Sequence, residues 1–460
     1  VAIPFNEQDL SALVHFAATQ KYSLIPRTAG TSLAGQVVGN GIVVDFSVHF
    51  NQIMEVNVTE KWVRLQPGVI RDDLNRYLRP LQLQFGPETS TANRAMIGGM
   101  VGNNSCGLHS ISWGTTRDHL MEVRGFLSDG SPVVFRAYSI EEVEKICGEK
   151  TLEGHIYRTL IGLLSHPDHQ QTIQTRFPKP SIKRRNTGYA IDRLLQHQPF
   201  SKNGPLFNLC PLIAGSEGTL CCITEVKLAL MDLPPAHNVL VCGHFQSLRK
   251  CMEANTIAMQ HRPEASELVD KLILDFTHGH PLYARYRFFI EGDPEAVLMV
   301  EFFGETYAQA MDRAEALIAD WRSKEMGYAH PVLHGSDIAK AWELRKGGLG
   351  LLRNMPGDAQ PVNLIEDCAV DVQDLPDYTD DIAALLERHG LQASYYAHAG
   401  AGELHIEPII NLKTAKGQAQ FRAVLTETVE LLKKYGGSLS GEHGDGRLRG
   451  DNTDGIGLVR

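Results

Sequence analysis

The chain has 460 residues, a formal net charge of −10, 43% hydrophobic and 21% charged residues, the composition of a globular protein of about two domains. The acidic balance argues against a nucleic-acid partner, and no apolar run approaches the ~20 residues of a membrane-spanning helix. Eight cysteines (106, 147, 210, 221, 222, 242, 251, 368) are scattered without a C-x-x-C pair. That excludes an iron–sulfur or zinc-ribbon framework within the chain and suits reduced thiols in a cytosol.

Val1–Pro4 reads as a strand and Glu7–Lys21 as an amphipathic helix, with Leu10, Leu13, Val14, Ala17 and Ala18 at helical spacing. Ser23–Pro26 is a second strand, and Gly41–Phe46 a third, apolar enough for burial on both faces. Between them lies the small-residue loop Arg27–Gln36 (RTAGTSLAGQ). It is either a bare turn or a place where backbone N–H groups approach an anion, with Thr31 and Ser32 adding hydroxyls. Neither a Rossmann nor a Walker pattern is present in it.

Lys61–Leu65 predicts a strand and Arg71–Leu78 a helix. A long stretch without regular period follows, GPETSTAN from Gly86 and IGGMVGNNSCGL from Ile97, then Trp113–Asp118. Glycines 98, 99, 102, 107 and 114 there imply backbone packed where no side chain fits. Glu122–Leu127 and Pro132–Phe135 form a hairpin around Ser128–Ser131. His155–His169 and Ala190–Gln198 read as helices flanking Lys183–Tyr189 (KRRNTGY), whose three cations fit a solvated basic loop. Leu212–Leu220 leads into the strand Ile223–Leu230, and Met231–Ala236 (MDLPPA) is the linker at a domain boundary.

The second half alternates strands (Asn238–Phe245, Ala296–Gly304, Val362–Val370) with helices (Leu248–Gln260, Tyr307–Trp321, Ile338–Leu352, Asp377–His389, Lys413–Tyr435). This predicts an α+β layer with helices on one face of a mainly antiparallel sheet. Within it, His398 and His405 flank a glycine turn. A hairpin of Ser394–Ala399 and Leu404–Ile409 would pair 398 with 405, their Cβ atoms roughly 5 Å apart. Two imidazoles so placed can grip one divalent ion, or be ordinary histidines beside a turn. Glu442 and His443, in SGEHGDG, would add an oxygen ligand and a base if the fold brings them close.

Five motifs now stand in order: Pro26–Gln36, Pro87–Gly114, Asn186–Tyr189, Gly215–Leu220 (GSEGTL) and the H-x6-H with its later G-E-H-G. Together, over essentially the whole chain, they resemble the vanillyl-alcohol-oxidase, PCMH-type FAD-binding superfamily, in its D-lactate, glycolate and D-2-hydroxyglutarate dehydrogenase branch. The resemblance implies an FAD-binding domain of two α+β subdomains (1–233), an α+β cap domain with an antiparallel sheet (234–435) and a C-terminal segment (436–460) returning to the FAD site. It assigns FAD contacts to Pro26, Arg27, Thr28, Ala29, Gly30, Thr31, Ser32, Gly35 and Gln36. A second group is Pro87, Glu88, Ser90, Gly98, Gly99, Asn103, Asn104, Ser105 and Gly107, and a third Glu217, Gly218 and Ile223. Departures are Thr28-Ala29 for two glycines, Trp113 for a tyrosine, and Ser105-Cys106. No histidine stands in Arg27–Gly35, so FAD is expected to be dissociable.

The implied reaction oxidises a small D-2-hydroxy acid to the 2-oxo acid. His398, His405 and Glu442 would hold a divalent metal, for which zinc suits the N/N/O set and manganese, cobalt or iron also fit. His443 would accept the hydroxyl proton, and Arg345 would clamp the carboxylate unless it is a surface ion pair with Glu343 nearby. One of Tyr395 and Tyr396 points inward. Glu407 could assist the metal or repel an anionic substrate, while Lys346, Arg353, Arg447 and Arg449 could each meet a second carboxylate. No NAD(P) fingerprint is visible, so the acceptor is expected to be a quinone or electron-transfer protein. Further expectations are a cytoplasmic location, peripheral contact with the inner face of the membrane, a homodimer, and an iron–sulfur region following in a longer polypeptide. Two competing functions are a flavin-binding subunit without chemistry, and a non-redox or reductive flavoenzyme on the same fold.

Overall fold

The computed structural model describes residues 1–450, so the part of the expected C-terminal segment from 451 to 460 lies outside the described residues. Among the described residues the first half carries three sheets, one of them a two-stranded pair of Leu83–Gln84 with Met231–Asp232 inside the expected linker. A parallel pair joins Leu24–Arg27 to Ile42–Asp45, and the helix Glu7–Gln20 packs Leu10 and Val14 against Val44, Phe46 and Phe50. The expected strand at the N-terminus is only an Ala2–Val44 bridge. Ile42–Asp45 is buried only at Val44, not on both faces, because a two-stranded ribbon leaves its neighbours half-covered.

The larger first-half sheet is antiparallel, in the order Ile53–Asn57, Trp62–Leu65, Cys222–Ala229, Leu120–Phe126, Pro132–Phe135. Cys222–Ala229 alternates buried and half-buried residues along its whole length, the period of two that a sheet covered mainly on one side requires. Ile53–Asn57 is absent from the expected strands; it lies at the edge of the sheet, with Met54 and Glu55 exposed and the other residues half-buried. The aperiodic stretch contains short helices, Ile97–Asn103 and Ser110–Trp113.

The second half is an eight-stranded sheet in which Val332–His334, His237–Phe245, Ala296–Gly304, Ala265–Asp270, Ala393–His398 and Glu403–Ile410 pair in that order. Gln360–Pro361 and Ile365–Ala369 both pair with Glu403–Ile410, and every pairing is antiparallel. The expectation of helices on one face alone needs correction. Leu248–Ala258, Tyr307–Ser323, Leu375–Arg388 and Ala415–Tyr435 cover one face through a core that includes Trp321, Tyr378 and Val424. Lys271–His278 and Ser336–Leu352 pack on the other, with Ile273, Ala341 and Leu344. The sheet is buried on both sides, and Arg345 sits on the second layer.

Ala265–Asp270 is central and every residue of it is buried. Sequence periodicity missed it because Ser266, Glu267 and Asp270 interrupt the apolar pattern. The histidine hairpin forms two residues out of the expected register: Tyr396 pairs with His405 and His398 with Glu403. A short 3₁₀ turn, Ala399–Ala401, ends at Gly402 with φ +77°, where a Cβ would lie 2.0 Å from the Val370 carbonyl oxygen. The turn is centred one residue earlier than expected, between Gly400 and Ala401, which slips the register by two, and an even slip keeps both imidazoles on one face. Among the described residues no helix is long and apolar enough to cross a membrane.

Candidate active site

A cavity of about 470 Å³ runs between the two halves. One end is walled by backbone and small side chains: Pro26–Leu33, Glu88–Thr91, Gly98–Met100, Gly102–Asn103, Ser105–Leu108 and Ser216–Gly218. The wall is close-fitting. A Cβ on Gly99 would stand 2.7 Å from Thr28 Oγ1, and one on Gly107 2.5 Å from the Glu88 carbonyl oxygen. Glu217, at φ +55°, is held in its left-handed turn because Oε1 accepts from the Gly446 N–H (2.9 Å) and from Gln36 Nε2 (3.2 Å). Gln36 Oε1 is buried without a hydrogen-bond partner among the described residues. A cradle of exposed backbone edges, hydroxyls and missing side chains suits a flat, phosphate-bearing cofactor.

The other end is ionic. His398 Nδ1–H donates to Glu267 (2.9 Å), and His405 Nδ1–H donates to the Glu366 carbonyl oxygen (2.5 Å). These bonds turn both Nε2 atoms toward Glu442 Oε1, at 3.6 and 3.8 Å. Burial, with His398 beside it, lowers the His405 pKa well below the ordinary value, so its Nε2 carries a lone pair. Burial raises the Glu442 carboxyl, but Arg184 and His398 outweigh it and keep Glu442 ionised. The gaps exceed a hydrogen bond and approach the roughly 3.4 Å that separates two tetrahedral ligands of a zinc-sized ion. Second-layer acceptors on both histidines complete the pattern of a metal-binding trio. His398, His405 and Glu442 could hold one divalent ion.

His443 Nε2 lies 3.2 Å from Glu442 Oε1, its ring stacked on His405. Burial lowers its pKa, yet Asp367, Glu366 and Glu442 push it up to about 10, well above the near-neutral base expected from sequence. Asp367 shapes this loop: its carboxylate accepts from Ser440 Oγ (2.5 Å) and from the N–H groups of Glu442 and His443 (both 2.9 Å). Arg345 is buried, not a surface pair with Glu343; it meets Glu267 Oε2 at 2.6 Å and leaves Nε without a hydrogen-bond partner among the described residues. Glu267 therefore ties Arg345 to His398.

Tyr396, not Tyr395, faces the cavity, stacked on His405 with ring centroids 4.6 Å apart. Glu407 lies off the cavity wall; it accepts from Asn363 (2.9 Å), and burial with Glu366 nearby raises it to about 7. Of the four cations left open, only Lys346 lines the cavity. Arg449 bonds the Gly444 carbonyl and faces Asp367, Arg353 lies beside Asn363, and Arg447 packs at Gly35.

Three of the expected contacts stand back from the wall. Gly35 sits under Arg447, the Pro87 carbonyl accepts from Arg71 Nε, and Asn104 caps Ile97–Asn103 with its amide on Asn186. The sequence reading missed Glu366, Asp367, Glu267 and, above all, Arg184. That residue is no solvated loop cation but a buried one bridging Glu403 and Glu442. Its position before Asn186-Thr187-Gly188 was the available signal, and charge alone argued for the surface.

The backbone arrangement is that of the PCMH-type FAD-binding fold: p-cresol methylhydroxylase superposes with a TM-score of 0.65 over 99% of this chain and 83% of its own, at 11% identity. Residues 1–136 match the FAD binding domain and residues 234–453 the FAD linked oxidases, C-terminal domain. The chain belongs to the FAD-linked oxidases. It is 33% identical to a D-2-hydroxyglutarate dehydrogenase of Pseudomonas putida over 93% of this chain and 42% of that protein. It is 24% identical to the glycolate oxidase subunit GlcD of Escherichia coli K12, over 97% of this chain and 76% of that one. The chain thus spans less than half the length of the D-2-hydroxyglutarate dehydrogenase it matches.

Proposed function

We propose that this chain oxidises a D-2-hydroxy acid to its 2-oxo acid, with dissociable FAD in the glycine cradle and a divalent ion, zinc by the N/N/O donor set, on His398, His405 and Glu442. The observation that carries this is the convergence of two oriented Nε2 atoms on one carboxylate oxygen at the end of the cavity that the glycine cradle walls. When bound, FAD supplies the hydride acceptor and the ion a positive charge that acidifies the substrate hydroxyl and offsets Glu442.

Arg345, which lines the cavity with its guanidinium fixed from behind by Glu267, binds the substrate carboxylate and so chooses which face of Cα meets the cradle. His443, in its neutral form, takes the hydroxyl proton as the Cα hydride leaves; offsetting the charge of Glu442 lowers the hold of the carboxylates on its own proton. Tyr396 closes the wall behind the substrate. Lys346 supplies a second cation, which favours a dicarboxylate such as D-2-hydroxyglutarate over lactate or glycolate. Electrons pass on to a quinone or an electron-transfer protein.

The test is anaerobic bleaching of the flavin by D- and L-2-hydroxy acids, with metal supplied. Bleaching by D-2-hydroxyglutarate ahead of D-lactate and glycolate, and by none of the L-acids, is the expected result. An unbleached flavin across the panel would overturn the reading.

A further inference from the structure

Arg184 comes from the flavin half of the chain, ahead of Asn186-Thr187-Gly188-Tyr189, yet its side chain ends at the ionic centre with 1% of its surface exposed. All five of its N–H donors are occupied. Nε–H donates to Ser110 Oγ (3.0 Å), and the NH2 group to Ser110 Oγ (2.9 Å) and the Gly107 carbonyl oxygen (2.5 Å). NH1 donates to two carboxylates, Glu403 Oε2 at 2.6 Å and Glu442 Oε2 at 2.9 Å. Cys106 Sγ lies 3.6 Å from that same Glu442 oxygen.

The consequence is a division of labour between the oxygens. One guanidinium corner pins the Oε2 atoms of Glu403 and Glu442, and both Oε1 atoms are left facing the His405 Nε2, at 3.7 and 3.8 Å. Glu442 Oε1 also faces the His398 Nε2. A free carboxylate would offer either oxygen, or both, to a cation. Here one is already spent on a rigid, fully satisfied fork.

We propose that Arg184 is a positioning residue that forces Glu442 to present Oε1 alone to the divalent ion, and that couples this ligand to the flavin-side segment Gly107–Ser110. The inference rests on the metal reading given above. A fork with five committed donors also explains why arginine stands here: a lysine ammonium has three donors and cannot reach Ser110, Gly107 and both carboxylates together.

The experiment is a chelator-competition titration of zinc into the FAD-loaded chain, with flavin content and melting temperature recorded for every variant. In wild type, zinc binds at one equivalent, and His398→Ala/His405→Ala abolishes it; equal binding by both would overturn the metal reading itself. Given that control, Arg184→Met should weaken zinc by about 100-fold and Arg184→Lys, which keeps the charge but not the fork, by about tenfold, the cost of removing an outer-layer partner. Ser110→Ala, which leaves the charge and removes two of the five bonds, should weaken it less than either. If Arg184→Met does not fold, Arg184→Lys decides. Wild-type zinc affinity in a folded Arg184 variant, whatever its melting temperature, would overturn the proposal, because a merely structural arginine would change stability and leave the metal alone.

Discussion

The two ends of the cavity are built on opposite principles. The cradle is made from consecutive residues of a few short segments, and it works by what is missing: Gly99 and Gly107 have no Cβ because Thr28 and Glu88 already occupy the space. The ionic end is made from single side chains drawn from Arg184, Glu267, Arg345, Asp367, His398, His405 and Glu442, each held by another charged or polar group. A backbone cradle is tolerant of residue identity except at its glycines, and its motifs are contiguous. A network of buried charges fails when any one partner is removed, since the remaining charge is left uncompensated. The same loop, Ser440–Gly446, serves both ends: Asn103 and Asn186 hold the Glu442 carbonyl from the cradle, and Asp367 holds the loop N–H groups from the sheet.

The sharpest separation of the two comes from His398→Ala/His405→Ala. Turnover should fall by about a thousandfold or more, the several kcal/mol a Lewis acid contributes, while bound flavin measured by absorbance is unchanged. Loss of flavin together with turnover would mean that the pair supports the cradle. Next in size is Arg345→Met. Substrate KM should rise by about 100-fold with Arg345→Lys between it and wild type, the cost of truncating a buried charged partner; a change confined to kcat would place Arg345 elsewhere in the reaction.

The cradle was the readable part. Arg27–Gln36, Ile97–Leu108 and Gly215–Leu220 are continuous runs of small residues, and glycine spacing marks the places where backbone must come close. Most assigned positions line the cavity, and those that do not, Gly35, Pro87 and Asn104, lie one residue from ones that do. The ionic end was legible in the histidine hairpin and, through the family resemblance, at Glu442, His443 and Arg345, but its supporting groups were not. Its support lies on Ala265–Asp270, whose buried Glu267 breaks the apolar alternation by which strands are recognised, and on Ile365–Ala369, inside the expected strand Val362–Val370, where the spacing alone does not mark Glu366 and Asp367 as partners of the histidine loop. Arg184 was the hardest: isolated charge argues for solvent, and only the tertiary fold brings Glu403 and Glu442 to it.

A smaller perturbation tests the cradle from its own side. Gly99→Ala would place a methyl group 2.7 Å from Thr28 Oγ1, so the Thr28 side chain must rotate or its loop shift. Overpacking of this kind costs about 1–3 kcal/mol, and FAD should bind roughly tenfold more weakly by fluorescence titration, with zinc affinity unchanged. Weaker zinc at unaltered FAD affinity would show that the two ends are not separable there.

The least effect, and the one that probes the seam, belongs to His109. Its ring donates to Glu88 of the cradle (2.7 Å) and Glu301 of the sheet (2.8 Å), stacked on Trp113. Burial lowers its pKa, but the two carboxylates outweigh it and raise it from 6.5 to about 10. A folded pKa above the unfolded one means that the charged bridge contributes fully below pH 6.5 and fades as pH rises toward 10. His109→Gln keeps a donor for one carboxylate only. The melting temperature of wild type should exceed that of the variant below pH 6.5, by a gap equivalent to about 1 kcal/mol, and the two curves should converge by pH 10. A gap that stays constant across that window would mean that His109 joins the halves by packing on Trp113, and that the seam between cradle and sheet is apolar rather than ionic.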